Sequence, residues 1–391
     1  MKVAVICPDD LSIVLFCKGI VQVLKDWDNS QVLVISDYWS EDEDGFYIKT
    51  IKSWGVEHVY LRTTRYITPL QDIRYVYNLW RILKRNKIDT VINITTKPNI
   101  LGTFAGRLAG VRNILCSVWG RGSVFVEGPG LKKNLRKSFI LWLYRLAFGL
   151  SSKIWFTNES DLNYFLARNV TQKRKTILTK NYVNTDDYFP YELSRERALA
   201  LKREIGLQEQ DRMVIMVGRM IWAKGVREFV EASKILKEKL PFVKFVLVGP
   251  KEEGIEDAVP ESYMKESEKL GNFIWPGFRK DVKDLYVLAD LAVLPSYYKE
   301  GGFPRALTEP MAMGKPVIAA DTPDCRGPVE HGENGYLVPA KDSDALANAI
   351  EILMNDDNKR KEFGHYSRIK AVNEFDEKAI VQQVIKEFFL A

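Results

Sequence analysis

Between Leu294 and Val317 the chain reads LPSYYKEGGFPRALTEPMAMGKPV. Two carboxylates, Glu300 and Glu309, a Gly301-Gly302 pair and Arg305 fall within this one stretch. An apolar strand ending at Leu294, a glycine turn and a helix opening at Pro304 would present free backbone N–H groups and the positive end of a helix dipole. Phosphate is the usual guest of that arrangement. Pro304 suits the first helical position, where a missing N–H costs nothing, and Gly314 can supply the left-handed cap that closes the helix. Glu309 would lie about a turn and a half inside, on a face that can look back at the glycine turn. The plain alternative, a surface loop joining strand to helix, leaves the crowding of charged groups and glycines unexplained.

A second cluster lies upstream. The strand end Val217-Gly218-Arg219 and the nearby Lys224-Gly225 put two cations beside a glycine turn that precedes a helix. With Gly301-Gly302 they could clamp a diphosphate from two sides, Arg219 as a planar fork and Lys224 as a point charge. Glu309 is acceptor-only when ionised and could take two hydrogen bonds from the vicinal hydroxyls of a ribose. A nucleoside diphosphate is therefore expected, yet neither GxxxxGK[ST] nor GxGxxG occurs, which argues against kinase and dehydrogenase chemistry.

These groups need a frame. At 391 residues, with 46% hydrophobic and 28% charged side chains, the chain suits two globular domains. Cys7, Cys17, Cys116 and Cys325 have no metal or redox spacing and read as reduced core residues of a cytosolic protein. Three histidines leave little for metal or triad chemistry, so no metal is expected. No export signal and no span of membrane length is read. Residues 1–180 hold 27 Lys+Arg against 15 Asp+Glu and the remainder 30 against 36, so an anionic surface or substrate is expected to face the first half. No nucleic-acid partner is expected, because no RNP, KH, zinc-finger or helix-turn-helix pattern accompanies the charge.

Strands at 1–6, 31–36, near Val59, 89–95, 113–118 and 153–157 alternate with helices at 12–26, 70–86, 97–111 and 131–152. After the polar boundary KNYVNTDDYFP the alternation restarts, with strands at 213–219, 244–250, near Ile274, 290–295, 315–321 and 336–339. The fold class is α/β, two Rossmann-like doubly wound domains facing a central cleft, with ligands expected at the carboxyl edges of the strands. The turn Trp119-Gly120-Arg121-Gly122 lies at such an edge. The stretch LKKNLRKSFILWLYRLAFGLSS begins basic and continues aromatic and apolar. It reads either as a helix resting on an anionic bilayer or as a buried helix of the first domain with a solvated end.

The stretches VGRMIWAKGVREFVEA, FVLVGP and ADLAVLPSYYKEGGFPRALTEPMAMGKPVIAADTPDCRGPVEHGENGYLVP, with the boundary NYVNTDDYFP, resemble retaining glycosyltransferases of the GT-B fold. The branch they look most like builds bacterial lipid-linked oligosaccharides, O-antigens or capsules. The resemblance is dense over 213–354 and thinner in the first half, where it rests on KPNILGTFAGRLAGVRNIL and the turn at 120–125. It implies an acceptor domain over 1–185, a sugar-nucleotide domain over 195–372, and a C-terminal helix over 373–391 that crosses back to the first domain.

It further implies that Arg219 and Lys224 bind the diphosphate beside Gly218, that Glu309 holds the ribose, and that Glu300 reaches the sugar. Gly301, Gly302, Phe303, Pro304 and Arg305 would frame the sugar and phosphates. Gly277 and Phe278 would meet the base through backbone groups, and Lys97, Gly120, Arg121 and Gly122 would face the acceptor. The partners implied are a nucleotide-sugar donor, with UDP the expected nucleotide, and a lipid-linked saccharide, met at the inner face of the membrane without cofactor or metal.

The family separates its two glutamates by seven residues, whereas eight stand between Glu300 and Glu309. Either Gly301-Gly302 absorbs one residue as a bulge, or Glu300 is not the equivalent glutamate. No histidine follows the strand ending at Val118, and Tyr182 stands where the boundary motif usually has glycine. A sugar-nucleotide 2-epimerase of similar shape and a non-catalytic partner subunit are the competing readings.

Overall fold

A computed structural model describes residues 1–39, 45–64, 68–121, 125, 131–252, 254–299 and 301–390. The chain forms two units, Met1–Lys180 with Glu377–Ala391, and Asn181–Asp376. The second unit thus starts within the polar boundary segment and ends at Asp376, where a bridge from Val183 closes it.

The first unit is built on a seven-stranded sheet of β1 (Lys2–Asp9), β2 (Gln31–Asp37), β3 (Glu57–Tyr60), β4 (Thr90–Ile94), β5 (Asn113–Val118), β6 (Lys153–Phe156) and β7 (Thr176–Leu178). Its order is β3-β2-β1-β4-β5-β6-β7, and every pair is parallel. Val3 to Ile6 are fully buried, as strands covered by helices on both faces require. The second unit carries β8 (Arg212–Val217), β9 (Val243–Val248), β10 (Phe273–Gly277), β11 (Leu291–Leu294), β12 (Val317–Ala320) and β13 (Gly335–Val338), in the order β10-β9-β8-β11-β12-β13 and again parallel. In each sheet the order reverses once, between β1 and β4 and between β8 and β11. Loops leaving the carboxyl ends of those strands diverge there and open a crevice.

Local chemistry explains where elements depart from expectation. The helix expected over 12–26 is two, Asp10–Phe16 and Lys18–Asp26, because Asp9 caps the Ser12 N–H at 2.7 Å and starts the turn early. The break falls at Cys17, whose Sγ lies 3.5 Å from the Cys7 Sγ in the core. The helix expected over 97–111 opens as a π-helical turn, Pro98–Gly102, before the α-helix Thr103–Leu108. Asn93 fills the place a Cβ at Gly102 would take, 2.1 Å from its Oδ1.

Two helices carry no apolar signal that would reveal them, Glu261–Glu268 and Asp357–Glu374. The longer one buries Arg360 and Lys370 among its inward residues. The first is satisfied by the Met354 carbonyl at 2.9 Å and the second by Glu374 at 2.9 Å, so its core face reads as polar. The C-terminal helix Glu377–Leu390 packs in the first unit against Lys18–Asp26. Val381, Val384 and Ile385 turn inward, and Phe389 stacks on Trp27 with centroids 5.8 Å apart.

Candidate functional site

The crevice of the second unit is built by the loop after β8 and the loop after β11, on adjacent strands. Three hydrogen bonds to one carbonyl join these loops: the Tyr297 and Tyr298 N–H groups each donate to Ala223 O at 2.9 Å, and the Ser296 hydroxyl donates to it at 3.3 Å. Gly225 makes the approach possible. Its φ is +83°, and a Cβ there would stand 2.3 Å from the Pro295 carbonyl oxygen. The consequence is chemical, since the Arg219 guanidinium and the Lys224 ammonium each lie 5.5 Å from the centre of the Tyr298 ring. Arg219 is also 3.5 Å from Glu252 and keeps 41% of its side chain exposed. Two cations thus converge on one aromatic ring at the switch point. Gly218 continues the sheet by donating its N–H to Val248 O at 2.9 Å.

The turn after β11 is left-handed at three successive residues, Gly301 (φ 78°), Gly302 (φ 79°) and Phe303 (φ 46°). Phe303 has no glycine-like freedom, and its conformation is held by packing. Its ring lies against Gly327, where a Cβ would come within 2.4 Å, and 5.3 Å from Phe375, while its carbonyl accepts from Asn181 Nδ2 at 3.3 Å. The Gly301 and Gly302 N–H groups, expected to meet phosphate, donate to the Asp324 carboxylate at 3.3 and 2.9 Å. An internal anion therefore occupies the amide pair. Pro304 is corrected by one position: at φ −62° and ψ 132° it is the N-cap, and the helix runs Arg305–Ala312. Extended ψ at the cap lets its carbonyl accept from Leu307 and Thr308. Gly314 adopts φ +71° beyond the helix end. Glu300 lies outside the described residues.

Glu309 is not in the open turn. It is buried on the helix, 2.7 Å from Arg305 Nη2, with the Tyr188 and Tyr286 phenols beside it. Burial pushes its pKa above the usual carboxylate range, and Arg305 and the two tyrosines oppose that shift. Both phenols are themselves pushed well up by burial, with the Glu309 charge adding to it. Arg305 and Glu309 are thus one internal pair rather than two groups offered by the glycine turn. Gly277, at φ +76°, ends β10 with its carbonyl accepting the Gly249 N–H at 3.0 Å, and Phe278 beyond it is 38% exposed.

In the first unit, two expected acceptor contacts are committed elsewhere. Lys97 Nζ meets Asp72 Oδ1 at 2.7 Å, the Thr64 carbonyl at 2.8 Å and the Thr64 hydroxyl at 2.6 Å, which uses its three N–H groups. It ties the start of helix Pro69–Arg85 to the loop after β3. Arg121 Nε lies 2.6 Å from the buried Asp161, and its guanidinium is 4.5 Å from the Tyr164 ring. Asp161 in turn exchanges hydrogen bonds with Asn158 at the N-cap of helix Glu159–Ala167. Gly120 adopts φ +125° with open space around it, and Gly122 lies outside the described residues.

The helix Leu131–Leu150 has one buried face and one exposed apolar face. Ile140, Tyr144, Ala147 and Phe148 are buried, whereas Leu135, Phe139, Trp142 and Leu146 form an exposed apolar stripe. Among the described residues no helix is long and apolar enough to cross a membrane, and no group of His, Cys, Asp or Glu is placed to hold a metal ion.

Tyr298, Tyr188, Tyr286 and Asp324 went unread in the sequence. Only Tyr298 left a local signal, the Tyr297-Tyr298 doublet inside the turn.

Residues 199–370 match the family Glycosyl transferases group 1, and residues 3–158 match Glycosyl transferase 4-like. The N,N'-diacetylbacillosaminyl-diphospho-undecaprenol alpha-1,3-N-acetylgalactosaminyltransferase of Campylobacter jejuni is 26% identical over 99% of this chain and 98% of its own length. The UDP-Gal:alpha-D-GlcNAc-diphosphoundecaprenol alpha-1,3-galactosyltransferase of Escherichia coli is 25% identical over 91% and 86%. Anabaena HepE, solved with UDP and glucose, superposes over 99% of this chain and 98% of its own with a TM-score of 0.74 at 21% identity. Two parallel α/β units, a switch-point crevice lined by cations and the matches to both units show that this chain belongs to the GT-B glycosyltransferases, in the family-four group.

Proposed function

We propose that this glycosyltransferase moves a sugar, with retention of anomeric configuration, from a UDP-linked donor held by the second unit to a lipid-linked saccharide held by the first. The observation that carries the reading is the convergence of Arg219 and Lys224 on Tyr298 at the switch point. When the sugar leaves, negative charge grows on the diphosphate, and preorganised cations are worth most where charge develops. Arg219 and Lys224 supply that stabilisation, and the reading calls for no metal. Glu309 takes the ribose hydroxyls in place of the Tyr188 and Tyr286 phenols that stand beside its carboxyl group. Gly277 and Phe278 flank the base, and Glu300 meets the transferred sugar. A phosphate oxygen takes the acceptor proton on the face the leaving group vacates.

The lipid-linked acceptor is supported by the two relatives whose names carry a diphospho-undecaprenol saccharide, and the UDP donor by the Escherichia coli name. The exposed stripe Leu135, Phe139, Trp142 and Leu146, beside Arg136 and Lys137, supports peripheral attachment to the inner face of an anionic membrane. The test is release of UDP from a panel of UDP-sugars, with and without a lipid-linked saccharide. Release that requires the acceptor supports transfer. Acceptor-free interconversion of the sugar would replace it with epimerisation, and binding without turnover would replace it with a partner subunit.

A further inference from the structure

At the edge of the first unit's sheet, residues 57–64 and the helix Pro69–Arg85 line an open groove of about 1260 Å³. Arg74, Asn78, Arg81 and Arg85 recur at spacings of four, three and four, so they form one stripe along the helix. All four line the groove, and Arg62 faces them from the loop. No salt bridge joins Arg62, Arg74, Arg81 or Arg85 to a carboxylate among the described residues. Two acids also line the groove, Glu57 and Asp72, and Asp72 is already paired with Lys97. With Lys84, the four arginines outnumber these two acids and leave the groove cationic, and their planar forks suit phosphate oxygens.

The neighbouring stripe of the same helix is apolar and in solvent: Leu70 is 85% exposed, Ile73 68% and Tyr77 54%. The third face, with Tyr75, Leu79 and Leu83, is buried in the core. A helix that carries core, grease and guanidinium on three separate faces fits a ligand that is both anionic and apolar. A free phosphate would have no use for Leu70 and Ile73. We propose that this groove binds the diphosphate of a prenyl-type lipid, with the basic stripe on the phosphates and the apolar stripe beside the first part of the chain. The inference rests on the reading that the acceptor is lipid-linked, and it assigns the acceptor's phosphate end to a place distant in sequence from the turn at Gly120.

Farnesyl diphosphate is a water-soluble probe and can be titrated calorimetrically into the full chain. The wild type binds it more tightly than inorganic pyrophosphate, and Leu70→Ser with Ile73→Ser abolishes that difference. Arg81→Ala with Arg85→Ala weakens farnesyl diphosphate about tenfold or more, the scale for losing charged hydrogen bonds, and lysine at both positions restores part of it. UDP affinity stays at the wild-type value, and an unchanged circular dichroism spectrum and melting curve report that the first unit folds. Unchanged farnesyl diphosphate binding in the alanine variant overturns the proposal. So does an equal loss of binding to phosphatidylglycerol vesicles, which would make the groove a general anionic-lipid contact. If farnesyl diphosphate fails to bind the wild type, the groove assignment falls, while acceptor-dependent UDP release continues to decide the transferase reading separately.

Discussion

Arg305 and Glu309 stand one turn apart on the same helix, with Nη2 and Oε1 2.7 Å apart and both side chains largely shielded. The pair fixes the Glu309 carboxyl group beside Arg305 at the expense of desolvation. Burial raises the Glu309 pKa, so the folded state binds a proton more readily than the unfolded chain does. That contribution to stability is fully present below the unfolded value, about 4.3, and is lost as pH rises through the folded value. Glu309→Gln removes the titration, so its stability relative to wild type rises as pH climbs above about 4, read by urea denaturation at each pH. The same variant loses about 1.5–3 kcal/mol of UDP affinity if the carboxylate holds the ribose. Wild-type UDP affinity would remove Glu309 from the nucleotide site.

Arg219→Ala and Lys224→Ala are each expected to slow transfer roughly a hundredfold, about 3 kcal/mol, with the fold intact. Both side chains sit over the Tyr298 ring and not within a core. Near wild-type turnover in both variants would show that the diphosphate is clamped elsewhere.

The Asp324 carboxylate occupies the Gly301 and Gly302 amides that a phosphate would use. Asp324→Asn keeps the side-chain shape and removes one like charge, worth about 1 kcal/mol when partly screened, so UDP should bind roughly fivefold more tightly. Weaker binding would mean that the carboxylate serves to hold the left-handed turn in shape for the donor.

Membrane attachment through Leu131–Leu150 should need both of its exposed components. Phe139→Glu with Trp142→Glu, and separately Arg136→Glu with Lys137→Glu, should each lower recovery with anionic vesicles in flotation, and added salt should weaken the wild type. Equal flotation on neutral and anionic vesicles at every salt concentration would refute an electrostatic component.

Much of the scaffold was legible because its signals are local. Buried parallel strands appear as short apolar runs, and helices with one apolar stripe appear at their own period. The same locality exposed Arg219 after β8, Lys224-Gly225 and the glycine turn after β11, each of which owes its place to the strand before it. Gly225 shows where that reading stops. Its sequence suggests a turn, but only the Pro295 carbonyl pressed against it explains why no side chain fits.

What the tertiary structure decided involves partners far apart in the chain or faces that composition disguises. Lys97 and Arg121 looked available as cations at strand edges, yet Asp72, Thr64 and Asp161 consume them, since a partly buried charge must be paired. Tyr188, from the boundary segment, stands beside Glu309, and Asp324, from beyond β12, accepts from the glycine turn. The helix Asp357–Glu374 escaped notice because its inward Arg360 and Lys370 are satisfied by partners no periodicity reveals. Sequence alone established the family, the sheet frame and the two cation-bearing turns, because each is encoded within a few consecutive residues. Which charges remain available to a substrate was settled by packing, because that depends on what else the folded chain brings within about 3 Å.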